Sequence, residues 1–185
     1  MQSKAGGRCL VRFWPVTYIS PMPEQIDELI HAGWVVPVEP DCRPLAGHSV
    51  AVHQGRIHDV LPTAACGERY RAEREADLSA HHALIPGLIN AHTHAAMTLF
   101  RGMADDLPLM EWLNDHIWPA EQRWVDEDFV RLGTSLAAVE MLRSGTTCFS
   151  DMYFFPNVVA DAAEAMGIRA RVGLIVLDFP TAWGR

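Results

Sequence analysis

Leu84-Ile85-Pro86-Gly87-Leu88-Ile89-Asn90-Ala91-His92-Thr93-His94 runs from a turn into a short apolar strand and out onto two histidines. Side chains on a strand alternate between faces, so His92 and His94 point one way and Thr93 the other. Two imidazoles on one face at a strand end can grip one metal ion, and imidazole nitrogen suits zinc, iron, nickel and copper alike. The same pair also reads as two half-buried histidines satisfied by backbone carbonyls. The flanking sequence has to decide between the two.

Downstream, the periodicity turns helical. Pro108 to Trp118 predicts a short helix with Pro108 in its first turn and Pro119 as its end. A longer helix starts at Asp126, which can cap free amides, with Glu127 and Asp128 at the positive end of its dipole. Phe129, Leu132, Leu136, Val139 and Leu142 recur at steps of three or four and predict its buried stripe. Arg143 lies in its last turn, and Gly145 suits the left-handed stop. Thr146–Ser150 then reads as a buried strand ending at Asp151, Asn157–Met166 as a helix stopped at Gly167, and Arg169–Leu177 as a third strand. Strand, helix, strand, helix, strand predicts parallel strands with right-handed crossovers, hence an α/β sheet or barrel.

Upstream, residues 1–27 carry no clean period and stay an unassigned leader. Leu29–Val36 is strand-like and ends at Pro37. Ser49–His53 and Arg56–Leu61, joined by Gln54-Gly55, predict a β-hairpin. Polar Thr63–Ala76 reads as a short solvated helix or loop, and Asp77–Ser79 with Ala83–Ile85 adds one more strand. His31, His48, His53, His58, His81 and His82 share no spacing and read as surface or hydrogen-bonded structural histidines.

The 185 residues suffice for one domain, or for a small domain plus part of a larger one. A 49% hydrophobic, 21% charged composition is that of a globular chain. A net charge of −8 argues against nucleic acid, which needs a basic patch, and no basic run suggests a membrane surface. No stretch reaches the roughly 18 apolar residues of a membrane span. Cys9, Cys42, Cys66 and Cys148 are scattered, as reduced cytoplasmic thiols would be. Lys4 and Arg8 precede a partly apolar run, but Arg12 and Pro15 interrupt it and no clear cleavage site follows. The cytoplasm is the expected location.

Three longer patterns sharpen the reading. They are Pro86–His94 with the Gly-Arg-Ile hairpin before it, Met97–Leu109 with Glu111-Trp112-Leu113 and Trp118-Pro119-Ala120-Glu121, and Ser144–Thr147 running to Asp151–Phe155. Together they resemble the metal-dependent amidohydrolase superfamily, in the branch of 5-methylthioadenosine/S-adenosylhomocysteine deaminases and s-triazine chlorohydrolases. The resemblance implies an α/β fold: the N-terminal part of a (β/α)8 barrel, preceded by half of a small β-sandwich. Residues 28–85 would form the partial sandwich and 86–185 the first three βα units. His92 and His94 would be metal ligands ending barrel strand one, on the catalytic face. The cofactor would be one divalent ion, zinc first among candidates.

By the same resemblance, Glu121 would accept from the ribose hydroxyls and Trp112 would pack on the substrate. Asp105-Asp106 would be loop or cap residues, and Asp151 either a group that supports the metal ligands from behind or a structural one. The implied reaction is hydrolytic deamination of methylthioadenosine or S-adenosylhomocysteine to the inosine analogue plus ammonia. Hydrolysis of s-triazines or other aminoheterocycles is the alternative. The partner would be a small-molecule nucleoside, with neither nucleic acid nor membrane, and a homo-oligomer is open for full-length members. The other zinc-deaminase signature, His-x-Glu with Pro-Cys-x-x-Cys, is absent. A complete barrel takes on the order of 250 residues, whereas 86–185 has room for three units. No catalytic residue is therefore expected within the chain; the remaining ligands and proton-shuttling groups would fall beyond Arg185. The isolated chain is expected to be inactive, and a truncated, non-enzymatic remnant is the competing reading.

Overall fold

The computed structural model describes residues 22–78, 81–178 and 180–184. The amino-terminal run with Lys4, Arg8, Arg12 and Pro15, most of the leader and Cys9 lie outside the described residues. Two compact units meet at the Ile85/Pro86 boundary.

The first unit is one five-stranded sheet built from β1 (Glu24–Val35), β2 (Leu45–His53), β3 (Arg56–Pro62), β4 (Tyr70–Asp77) and β5 (Ala83–Leu84). The order is β3-β2-β1-β4, and β5 continues alongside β1. β1 begins at Glu24, so residues 24–27, expected in the leader, belong to a strand whose Ile26 is buried. The hairpin forms as expected: Gln54 and Gly55 both take positive φ (51° and 71°), the turn whose twist matches the flanking strands. His31 bonds Ser49 Oγ at 2.7 Å, and His53 bonds Asp27 at 3.0 Å.

Thr63–Ala76 departs from expectation. Only a single turn at Thr63–Ala65 and the short α1 (Cys66–Arg69) are helical, while Tyr70–Asp77 is a strand running parallel to β1. Its charged side chains read as a solvated segment because they face solvent. Backbone pairing to β1, with half-buried Ala72 and Ala76, makes it a strand despite unfavourable local composition.

The second unit carries three parallel strands in the order β6 (Leu88–Thr93), β7 (Thr146–Met152) and β8 (Arg169–Gly173). Helix α4 (Glu127–Arg143) joins the first two and α5 (Pro156–Ala165) the last two, so the expected βαβαβ order is present. Asp126 caps α4 by accepting from the Phe129 amide at 2.8 Å, and Gly145 and Gly167 take the left-handed stops with φ of 85° and 68°. β8 is shorter than expected, and Leu174–Leu177 leave it as exposed or half-buried chain. Among the described residues no helix is long and apolar enough to cross a membrane.

Two helical expectations fail for physical reasons. Pro119 does not end the helix: α2 (Leu109–Glu111) runs through a wide turn at Trp112–Ile117 into α3 (Trp118–Trp124). In that turn the Trp118 amide reaches back five residues to the Leu113 carbonyl, a π-type bond that makes room for a proline just beyond it. On α4 the buried face is Val130, Gly133, Thr134, Ala137, Ala138 and Met141, while Leu132 is 63% exposed and Leu136, Val139 and Leu142 also face out. Gly133 decides this. A Cβ there would sit 2.4 Å from the Ala96 carbonyl oxygen, so α4 rests directly on the turn at Ala95–Phe100 along its small residues. Phe129 alone of the predicted stripe packs inward, 4.8 Å from Phe100 ring to ring.

Candidate active site

β6 ends at the two histidines beside the end of β7. Between the pairs Asn90↔Phe149 and Thr93↔Asp151, β6 carries one residue more than β7, a bulge of the kind that re-aims side chains at the rim of a sheet. His92 and His94 still share a side: their rings meet edge to face, 5.2 Å between centroids. His94 Nδ1 lies 2.5 Å from the Met152 carbonyl oxygen. A carbonyl can only accept, so Nδ1 carries a hydrogen, and in the neutral imidazole the lone pair is on Nε2. The His92 ring is exposed and makes no hydrogen bond among the described residues.

Asp151 and Tyr153 follow on alternate positions at the end of β7. Asp151 is 1% exposed; its Oδ1 accepts from the Ala95 amide at 2.7 Å, pinning the chain just after His94. Its Oδ2 has no hydrogen-bond partner among the described residues. Burial pushes the Asp151 carboxyl above the usual range, against the pull of the Ala95 amide and of His94. Asp105 and Asp106 lie in an exposed loop, with Asp106 at φ 60°.

Glu121 projects from α3 and is 9% exposed. Its Oε1 accepts from the Tyr153 hydroxyl at 2.8 Å. Burial raises the Glu121 carboxyl above its usual range, opposed by the Tyr153 hydrogen bond and by His94. Tyr153 is 4% exposed, and burial together with the Glu121 charge pushes its phenol well above the ordinary value, so it stays a neutral donor. A cavity of about 240 Å³ collects His94, Trp112, Glu121 and Tyr153, with Met97 and Leu177 among its apolar walls. Three of the four residues singled out from sequence therefore share one cavity. His92 stands beside His94 but is not among the cavity walls. Among the described residues no three His, Cys, Asp or Glu side chains cluster as a metal site.

Tyr153 is the residue that sequence reasoning passed over. It lies within the Asp151–Phe155 motif, and period two from Asp151 was the one signal that could have pointed to it.

The model described as the amidohydrolase family matches residues 83–182. The chain belongs to the amidohydrolase family. It is 52% identical over 158 residues to a 5-methylthioadenosine/S-adenosylhomocysteine deaminase of Saccharophagus degradans, a match covering 85% of this chain and 35% of that protein. A 5′-deoxyadenosine deaminase of Methanosarcina barkeri is 44% identical over 154 residues, covering 82% and 34%. Among solved structures, a zinc-bound adenosine deaminase from Xanthomonas campestris superposes with a TM-score of 0.84 at 52% identity, covering 88% of this chain and 37% of that one. The zinc complex of an atrazine chlorohydrolase from Arthrobacter aurescens shares the fold, with a TM-score of 0.69 at 20% identity over 79% and 35% of the two chains. The chain thus spans about a third of the length of the curated relatives it matches.

Proposed function

We propose that these residues form the N-terminal share of a metal-dependent hydrolase that deaminates adenosine-type nucleosides, 5′-methylthioadenosine and S-adenosylhomocysteine first among them. The observation that carries this reading is a buried carboxylate, Glu121, opening into the same cavity as a histidine with a free Nε2. In this reading β6, β7 and β8 are the first three strands of a (β/α)8 barrel, and residues 28–85 contribute to a β-sandwich. Trp112 forms a wall for the purine nucleoside, and Glu121 accepts from the ribose hydroxyls.

The residues present fit a divalent ion, zinc for preference. His94 offers Nε2 because Met152 occupies its Nδ1, and His92 stands beside it, its ring making no hydrogen bond among the described residues. An ion held there would supply Lewis acidity, bringing the ionisation of water towards neutral pH. The chain's own residues bind and orient: Glu121 holds the sugar end, Trp112 walls the nucleoside, and Asp151 keeps the turn after His94 in place. The net reaction exchanges the amino group of the purine for the oxygen of water and releases ammonia. Catalytic zinc takes three protein ligands plus water. Two histidines supply two of them, so turnover is expected of a protein that also carries the remaining ligands.

A sugar-free triazine has no diol for Glu121, which is why the nucleoside is preferred over s-triazine hydrolysis. In a protein with the complete site, Glu121→Ala is expected to raise KM for methylthioadenosine by about tenfold or more, the loss of a hydrogen bond to a charged group. Turnover of an aminotriazine should change little. Ammonia release measured on both substrates decides, and equal losses would remove the case for a nucleoside. Robust metal-dependent turnover by residues 1–185 alone would contradict the two-ligand reading.

A further inference from the structure

The hydrogen bond from Tyr153 to Glu121 joins the end of β7 to α3 across 32 positions of sequence. Both side chains are buried, and both line the cavity that holds His94 and Trp112. Glu121 Oε1 is engaged by the phenol, whereas Oε2 makes no hydrogen bond among the described residues. Tyr153 is itself held by the strand it leaves and by Phe154, whose ring centroid lies 5.0 Å away.

We propose that Tyr153 is a positioning residue for substrate recognition: its hydroxyl fixes the rotation of the Glu121 carboxylate so that Oε2 faces the cavity, ready to accept from the vicinal diol of a ribose. The proposal rests on the nucleoside reading above. Its physical basis is preorganisation. A glutamate side chain free to rotate loses entropy when it binds a diol, and a buried carboxylate with no donor is poorly solvated. A bond from a buried phenol just beyond the end of β7 removes both costs before substrate arrives. Selectivity for a sugar bearing both hydroxyls then depends on a residue that does not touch the sugar.

The test uses a protein with the complete site and two substrates, an adenosine-type nucleoside and its 2′,3′-dideoxy analogue. Tyr153→Phe keeps the ring and removes the donor. It is expected to raise KM for the nucleoside by about tenfold, as for a lost hydrogen bond to a charged group, and KM for the dideoxy analogue by less than twofold. In the double variant with Glu121→Ala, the loss should match that of Glu121→Ala alone, because the two residues act as one unit. An equal rise in KM for both substrates marks a merely structural tyrosine and overturns the proposal, as does an unchanged KM for the nucleoside. Loss of diol discrimination in Glu121→Ala but not in Tyr153→Phe also overturns it, while leaving the nucleoside reading standing. An unaltered protein that treats both substrates alike overturns the two together.

Discussion

Replacing Gly133 by alanine tests how α4 is seated. The added Cβ would lie 2.4 Å from the Ala96 carbonyl oxygen, 2.8 Å from its Cα and 3.0 Å from its carbonyl carbon. All three are backbone atoms and cannot swing aside, so α4 or the turn at Ala95–Phe100 has to move by several tenths of an ångström or more. Overpacking of this kind costs about 3 kcal/mol at the upper end of the usual range. Alanine regains about 1 kcal/mol over glycine in a helix interior, leaving a net loss of about 2 kcal/mol. With a urea slope of about 2 kcal/mol/M, the unfolding midpoint should fall by about 1 M, read by circular dichroism. The displaced turn follows His94 directly, so on the proposed metal reading zinc uptake measured by equilibrium dialysis should weaken as well. A Gly133→Ala protein as stable as the parent would refute the seating of α4 on this turn.

Two further outcomes follow from burial. Val130 is fully buried and Leu132 largely exposed, so Val130→Ala should cost about 2 kcal/mol of stability and Leu132→Ala within about 0.5 kcal/mol, a contrast measurable by the same urea titration. The reverse ranking would restore the stripe read from sequence. Asp151 has its carboxyl raised in the folded state by burial, so its contribution to stability is present at acid pH and lost as pH rises through its folded value. Asp151→Asn can still accept from the Ala95 amide, and thermal melts from acid to neutral pH should show a flatter decline than the parent. An unchanged slope would mean that Asp151 ionises in the folded protein without penalty.

Features set by neighbours in the chain were legible in the residues themselves. Glycine at 55, 145 and 167 takes the left-handed backbone that a turn or helix stop requires, and Asp126 caps the helix it precedes. Period two was enough to expect His92 and His94 side by side at the end of β6, and alternating helical and extended patterns to expect parallel strands. Other features depend on residues far apart. α4 carries apolar residues on more than one face, and which face turns inward was decided by the absence of a side chain at Gly133, read against Ala96. Tyr70–Asp77 became a strand because β1 offered unpaired backbone groups beside it. The cavity itself joins β6, α3 and the end of β7, and no local pattern announces that Tyr153 and Glu121 meet. Local sequence determines backbone conformation because those energies are paid within a few residues; contacts between distant side chains exist only once packing has brought their elements together.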